Sequence, residues 1–336
     1  MITRVDLDKY DTQGMYKIYD IWPEIAYEYY EKKTHKVDDK NIDNIVFSGM
    51  GGSGTIGDVF SSILSKTNIH VSVVKGYLLP KTVDANTLVI TTSVSGNTVE
   101  TLKILSTAQK HNCKLIAFSS GGKIQKYCKK NNIQHTHIPQ FHSPRASFTA
   151  YLYSMLNVLE SIIPVRKQEI KESLEKLEKL REKILSTNLT STNESLVIAR
   201  WIKSIPIIYY PWGLQAAAIR FKNSLQENAK MHVMAEDIIE ASHNGIVAWE
   251  RPSVVQPILI QGEDDYIKTK ERWRILKEYF KINNIDYNEV HSVKGNIISK
   301  LINLIYLLDY CSIYKAITLK IDPSPISSID FIKTKL

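Results

Sequence analysis

Two stretches rich in glycine and hydroxyl residues, between residues 45 and 101, carry the chemistry that binds phosphate. Each follows a short apolar run that predicts a strand and precedes a pattern that predicts a helix. The first reads Gly49-Met-Gly-Gly-Ser-Gly54 and the second reads Ser93-Val-Ser-Gly-Asn-Thr98. A helix N-terminus presents unpaired N–H groups to an anion, and glycines let the backbone approach that anion closely. Together the two turns predict one phosphate site, and a phosphorylated small molecule is the first ligand to consider.

Tight packing is the competing explanation for each turn. One glycine-rich turn between a strand and a helix often serves backbone geometry alone. The second turn is harder to explain in this way, because four of its six positions hold hydroxyl or amide side chains that add little to a core. A Walker A loop is excluded, since neither turn continues into Gly-Lys-Ser/Thr. The hydroxyl donors of the predicted site are Ser53, Ser93, Ser95 and Thr98.

The elements that must position these turns follow from the alternation of apolar runs with helical periodicity. Strands are predicted over 45–48, 69–74, 87–92, 114–118 and 135–138, and again over 205–210, 254–261 and 286–291. Helices are predicted over 54–65, 97–111, 122–131, 147–160, 216–230, 267–281 and 294–316. Strands separated by helices indicate βαβ units and parallel sheets, so the fold class is α/β with two doubly wound domains. Such sheets bind ligands at the carboxyl ends of their strands.

We predict four segments along the chain. They are a helical N-terminal segment at 1–40, a first domain at 41–165 with the phosphate turns, a charged helical linker at 166–190, and a second domain at 191–336. The linker is inferred from 167–184, where leucine or isoleucine recurs at helical spacing among charged residues.

The composition limits which ligands and which cellular compartment suit the protein. The net charge is +8 and hydrophobic residues make up 43%, which indicates a globular protein with a preference for anions. Lysines alternate with glutamates, so solvated helix faces explain the charge better than nucleic acid does. Three scattered cysteines, a charged N-terminus and the lack of a long uncharged stretch favour the cytoplasm, with no membrane contact. His135, His137 and His142 could suggest a metal, but alternate histidines leaving a strand need no such role, and we expect no metal and no cofactor.

The residues resemble a known family. Ser48–Gly54 and Ser93–Thr101 are similar to the signature of sugar isomerase (SIS) domains, whose fold is flavodoxin-like. Further segments resemble the bifunctional phosphoglucose/phosphomannose isomerases, in order along nearly the whole chain: Ser143-Pro-Arg, Glu227-Asn-Ala-Lys, Ser242-His-Asn and Asp322-Pro-Ser-Pro.

This resemblance implies roles for individual residues. Glu227 matches the family's base, which moves a proton between adjacent carbons through a cis-enediol. Arg145 matches the cation that stabilises the enediolate. His243 and Lys333 match the residues that open the sugar ring, with His243 contributed by the neighbouring subunit of a homodimer. The phosphate contacts carried over from the family are Gly52, Ser53, Ser93, Ser95 and Thr98.

The resemblance implies a metal-independent isomerase acting on glucose 6-phosphate and mannose 6-phosphate, both of which give fructose 6-phosphate. Ser324 and Ser327 lie where the family has a hydroxyl residue associated with mannose activity. The alternatives are another SIS enzyme acting on amino-sugar phosphates and a non-catalytic regulator that binds sugar phosphates. Four positions depart from the family pattern without removing a catalytic group: Ser147, Gln226, Ile239 and Gly245.

Overall fold

The computed structural model describes residues 2–37 and 41–335. The chain forms two compact units, which we call unit I (Ile21–Leu174) and unit II (Met1–Asp20 with Glu175–Leu336).

The helices, in chain order, are α1 Arg4–Tyr10, α2 Met15–Asp20, α3 Trp22–Glu31, α4 Gly52–Leu64, α5 Val99–Ala108, α6 Gly122–Lys130, α7 Phe148–Val158, α8 Lys167–Ile184, α9 Glu194–Trp201, α10 Gln215–Ala229, α11 Ile238–Ala241, α12 Ile267–Ile282, α13 Ile297–Thr318 and α14 Ser327–Lys335. The strands are β1 Asn44–Ser48, β2 His70–Val74, β3 Thr87–Ser93, β4 Lys114–Ser119, β5 Gln134–His137, β6 Ile205–Tyr210, β7 Met234–Asp237, β8 Val255–Gln261 and β9 Asn288–His291. Two short 3-10 helices cover Trp212–Leu214 and Gly245–Glu250.

Unit I contains a parallel five-stranded sheet in the order β2-β1-β3-β4-β5. Every residue of β1 and β3 is buried, which is why these strands read as continuous apolar runs rather than as an alternating pattern. The strand order reverses between β1 and β3, and this reversal point is where doubly wound sheets bind ligands. The two phosphate turns therefore follow neighbouring strands at the place where the fold favours a ligand.

Helices cover this sheet and fix the segment that precedes α7. All residues of α7 are buried, and α3 and α4 pack against it. Trp22, at the start of α3, is buried and donates its indole N–H to the carbonyl oxygen of Ala146 at 2.8 Å. Trp22 thus belongs to the core of unit I and ties α3 to the segment that precedes α7.

Unit II contains a parallel four-stranded sheet in the order β7-β6-β8-β9. This order reverses between β6 and β8, as it does between β1 and β3 in unit I, so the α/β class with two doubly wound sheets is confirmed. One face packs a cluster of large side chains around Trp249, Trp273 and Phe280. The two sheets thus share this feature of strand order.

A long buried helix forms the other layer of unit II. Among the described residues, α13 alone is long and apolar enough to cross a membrane, but 89% of its most apolar window is buried inside the protein. The helices α9 and α10 pack against it. A long helix that is enclosed in this way is a core helix.

The compact units do not follow the four predicted segments residue by residue. The first 20 residues belong to unit II, and α8, which coincides with the predicted helix at 167–184, contributes residues to both units. The four segments remain a prediction of where the domains begin and end. Their boundary at residue 40 lies outside the described residues.

Candidate functional site

The turn after β1 is built for close backbone packing at the start of α4. Gly51 precedes that helix with φ +54°, a conformation that favours glycine. A Cβ on Gly54 would lie 2.8 Å from the carbonyl oxygen of Gly49, and a Cβ on Gly49 would lie 2.9 Å from the carbonyl oxygen of Ser53, so neither Gly49 nor Gly54 has room for a side chain. Gly52 is the first residue of α4, and Ser53 is buried beside it. The first predicted phosphate contacts therefore lie at a helix N-terminus.

The turn after β3 brings two of the predicted hydroxyl groups together. Ser93 Oγ and Thr98 Oγ1 lie 2.8 Å apart, and the N–H of Gly96 donates to Ser93 Oγ at 3.1 Å. Thr98 precedes α5 but does not cap it with its side chain. Ser95 is exposed at the tip of the turn. The hydroxyl groups thus cluster at the carboxyl end of β3 instead of stabilising the next helix.

Gly96 and Asn97 have a structural role that the sequence did not reveal. Asn97 Oδ1 accepts the N–H of Lys123 at 3.1 Å, and the carbonyl oxygen of Gly96 accepts the N–H of Ile124 at 3.0 Å. Both donors belong to the first turn of α6. Gly96 has φ +67°, and a Cβ there would lie 2.0 Å from the carbonyl oxygen of Gly121. These two residues therefore hold the β3 turn against the N-terminus of α6.

Arg145 lies in unit I, in the segment just before α7, with 4% of its surface exposed. Ser147 stabilises that segment, because its Oγ accepts the N–H of Phe141 at 2.9 Å and bonds the carbonyl oxygen of Ser143 at 2.9 Å. Ser147 is one of the departures from the family pattern, and here its hydroxyl closes the turn that presents Arg145.

Lys75, the residue after β2, argues against a dinucleotide as the ligand of unit I. Gly49, Gly51 and Gly54 have the G-x-G-x-x-G spacing, but dinucleotide-binding turns of this kind use an acidic residue about 20 positions later to bind the ribose. That region holds Lys75, whose ammonium group bonds Asp58 Oδ2 at 2.5 Å. Unit I thus has turns suited to a phosphate group, but it has a lysine where a dinucleotide-binding turn would have an acidic residue to bind the ribose.

The histidines near β5 are engaged in hydrogen bonds. His135 Nε2 lies 2.8 Å from Ser119 Oγ, and His137 Nε2 lies 3.1 Å from the carbonyl oxygen of Ser120. Burial, with a smaller contribution from His137, lowers the pKa of His135. Within residues 2–37 and 41–335, no three His, Cys, Asp or Glu side chains form a group that could hold a metal ion.

Glu227 lies in unit II, in the last turn of α10, and is partly buried. Two turns earlier on the same face, the buried Arg220 donates to Asp309 Oδ2 of α13 from Nε at 2.9 Å and from Nη2 at 2.6 Å. Ser224 Oγ donates to Asp309 Oδ1 at 2.7 Å, and Asn228 Nδ2 donates to Ser312 Oγ at 2.8 Å. A row of polar contacts thus fixes α10 against α13 on both sides of Glu227 along the helix.

His243 is exposed on the turn after α11, and its N–H donates to the carbonyl oxygen of Glu240 at 2.9 Å. Asn244 reaches back to Glu240 Oε1 at 2.7 Å. At the departure Gly245, a Cβ would lie 2.5 Å from Glu236 Oε2, the end of a flexible side chain that would have to move. Lys333 lies on α14, which is exposed along its length.

The predicted site residues therefore divide between the units. Unit I holds Arg145 and the phosphate contacts Gly52, Ser53, Ser93, Ser95 and Thr98, whereas unit II holds Glu227, His243 and Lys333.

Two family models match the chain. Residues 40–160 match the SIS domain, and residues 191–336 match the bacterial phospho-glucose isomerase C-terminal SIS domain. The fold is shared with a hypothetical protein of Thermus thermophilus, whose crystal structure superposes with a TM-score of 0.74 at 14% identity over 98% of this chain and 92% of that one. Both parts of the molecule are thus SIS domains.

Proteins of similar sequence define the family more closely than the domain models do. A protein of Caldicellulosiruptor bescii named bifunctional phosphoglucose/phosphomannose isomerase is 33% identical over 93% of this chain and 94% of its own length. A protein of Aquifex aeolicus with the same name is 29% identical over 87% of this chain and 90% of its own length. The chain belongs to the bifunctional phosphoglucose/phosphomannose isomerase family, as the sequence motifs indicated.

Proposed function

We propose that this protein interconverts glucose 6-phosphate and mannose 6-phosphate with fructose 6-phosphate through a cis-enediol. The observation that carries the proposal is the pair of hydroxyl-rich turns after β1 and β3, at the strand reversal of unit I, in a chain of this family. The two aldoses differ only in configuration at the second carbon. An enediol has lost that centre, so one site can convert both.

The phosphate turns hold the far end of the sugar and contribute positioning. Gly52 and Ser53 offer the N-terminus of α4, and the hydroxyl groups of Ser93, Ser95 and Thr98 offer donors from the neighbouring turn. Binding energy gained at the phosphate fixes the reacting carbons without entering the chemistry.

Glu227 acts as the base that removes a proton from one carbon and returns it to the next. Arg145 stabilises the negative charge that develops on the enediolate oxygen, and its burial suits this role because electrostatic stabilisation is strongest away from water. His243 and Lys333 open the sugar ring by moving one proton onto the ring oxygen and another off the anomeric hydroxyl. None of these steps requires a metal, and we place the enzyme in the cytoplasm.

The test is a coupled assay of fructose 6-phosphate formation from each aldose phosphate, before and after treatment with a chelator. Conversion of both sugars at rates that the chelator leaves unchanged supports the proposal. If neither sugar reacts, the protein is a sugar-phosphate-binding regulator, and if only an amino-sugar phosphate reacts, it is the alternative SIS enzyme. Activity that the chelator removes and a divalent cation restores would contradict the metal-free chemistry.

We also propose a homodimer in which each site receives His243 from the other subunit. Glu227→Gln and His243→Gln variants should each be inactive. Subunits of the two variants, mixed and allowed to exchange, should recover about a quarter of the wild-type activity, because each mixed dimer rebuilds one intact site. If the mixture stays as inactive as its components, His243 serves the site of its own subunit.

A further inference from the structure

Lys230 ends the Glu-Asn-Ala-Lys motif, and no step of the proposed reaction uses it. Its side chain bonds three backbone carbonyl groups within unit II. The ammonium group donates to the carbonyl oxygen of Glu227 at 2.5 Å, of Pro325 at 2.7 Å and of Pro323 at 3.4 Å. One side chain thus joins the end of α10 to a segment that lies almost a hundred residues later in the sequence.

The end of α10 suits a cation. The last carbonyl groups of a helix lack partners within the helix and carry the negative end of its dipole, so a lysine there is favourable. Lys230 has φ +56° and ψ +36°, a left-handed conformation that few lysines adopt, and its N–H closes the helix on the carbonyl oxygen of Leu225. With this backbone geometry, the Lys230 side chain folds back over the last turn of α10, where Glu227 lies.

The segment that Lys230 binds is constrained in other ways. The N–H of Ser324 donates to Asp322 Oδ1 at 2.9 Å, and Thr12 Oγ1 donates to Asp322 Oδ2 at 2.5 Å. Ser324 is buried and lies between two prolines, whose rings restrict the backbone. The next element along the chain is α14, which carries Lys333.

We propose that Lys230 is a positioning residue that latches the segment Asp322–Pro325 beside the catalytic end of α10. The three carbonyl oxygens share one ammonium group, so each lies within two hydrogen-bond lengths of the others. Lys230 thereby sets where Ser324 and the start of α14 lie relative to the backbone of Glu227. The catalytic part of this inference rests on the proposed function, whereas the latch itself does not.

Such a latch matters because isomerisation needs groups on distant parts of the chain held in one geometry. A displacement of about 1 Å away from the reacting atoms can cost about 100-fold in rate. Lys230 touches no reacting atom in this account. Its loss should therefore reduce turnover through misplacement of the C-terminal segment, and the affinity of unit I for phosphate should not change.

The experiment compares wild type with Lys230→Met, Lys230→Arg and the control Lys281→Met. Lys281 is an exposed lysine in the last turn of α12, so, like Lys230, it carries a cation near the C-terminal end of a helix. For each protein, we would measure amide hydrogen exchange across unit II, kcat and KM on both aldose phosphates, and inhibition by inorganic phosphate.

Lys230→Met should speed exchange selectively at residues 320–328 and lower kcat on both sugars about tenfold, with KM within about threefold and phosphate inhibition unchanged. Lys230→Arg keeps a cation with several donors and should recover most of the lost kcat. Lys281→Met should match wild type.

Unchanged exchange at 320–328 in Lys230→Met would overturn the latch. Faster exchange spread evenly over unit II would also overturn it, because Lys230 would then support the whole unit and not one segment. A wild-type protein without isomerase activity would refute the proposed function, and the exchange measurement would still decide the latch.

Discussion

Replacing Asp309 by asparagine should remove the charge that compensates the buried guanidinium of Arg220. The two side chains are 0% and 2% exposed, and the carboxylate accepts both guanidinium bonds and the hydroxyl of Ser224. Burial is the largest single influence and lowers the pKa of Arg220, but Asp309, Tyr19 and Glu227 together raise it by more, so the pKa is raised overall and the guanidinium stays charged. The variant therefore leaves a charged group in the core without its counter-ion.

The loss of stability expected in Asp309→Asn follows from this burial. Removing one partner of a buried ion pair destabilises a protein by about 3–5 kcal/mol, against a total stability of about 5–15 kcal/mol. The double variant Arg220→Met with Asp309→Leu removes both charges and should recover most of that loss. The surface carboxylate of Asp264, which pairs with Lys300, supplies the control Asp264→Asn, and its removal should leave the stability unchanged.

Urea unfolding followed by tryptophan fluorescence suits this test. Four of the five tryptophans, Trp201, Trp212, Trp249 and Trp273, belong to unit II, which also contains the pair. Asp309→Asn should lower the midpoint of unfolding strongly, and the double variant should restore it. A free energy of unfolding for Asp309→Asn within about 1 kcal/mol of wild type would show that Arg220 does not depend on the charge of Asp309.

Two further predictions concern unit I. Gly96→Ala places a Cβ 2.0 Å from the Gly121 carbonyl oxygen at a left-handed φ, so calorimetry should show at least about tenfold weaker binding of inorganic phosphate, while Gly76→Ala, which meets no atom within 4 Å, should bind normally. Equal affinities in the two variants would contradict the packing argument. Burial and His137 lower the pKa of His135 below its ordinary 6.5, so the unfolded chain takes up a proton first, and stability falls as pH drops below about 6.5. His135→Gln should therefore show a smaller loss of unfolding free energy between about pH 7.5 and 5.5, and the same loss as wild type would argue against this origin.

The sheets could be predicted because their central strands are buried on both faces. In β1, β3 and β8 the apolar runs are long enough to read directly from the sequence, and α8 follows its leucine spacing from Lys167 to Ile184. The short strand β7 was missed, because Met234-Ala-Glu-Asp lies at the edge of its sheet and carries no apolar run. The exposed helix α14 was missed for a similar reason, since a helix without a buried face has little periodicity.

Candidate site residues are easier to predict from the sequence than the contacts that position them. The hydroxyl groups of the β3 turn stand out by composition, and the structure brings Ser93 and Thr98 together. The use of Asn97 to anchor α6, and of Lys230 to bind the segment near Ser324, depends on which strands and helices become neighbours. Those neighbours are set by the sheet order, and one sequence does not specify them locally.

The central proposal is that Glu227 transfers the proton in the isomerisation of an aldose phosphate to a ketose phosphate. Its most direct test is Glu227→Gln, assayed for turnover of glucose 6-phosphate and mannose 6-phosphate and for binding of inorganic phosphate. Turnover of both sugars should fall at least about 1000-fold, while phosphate affinity should stay at the wild-type value. Wild-type turnover in Glu227→Gln would contradict the proposal.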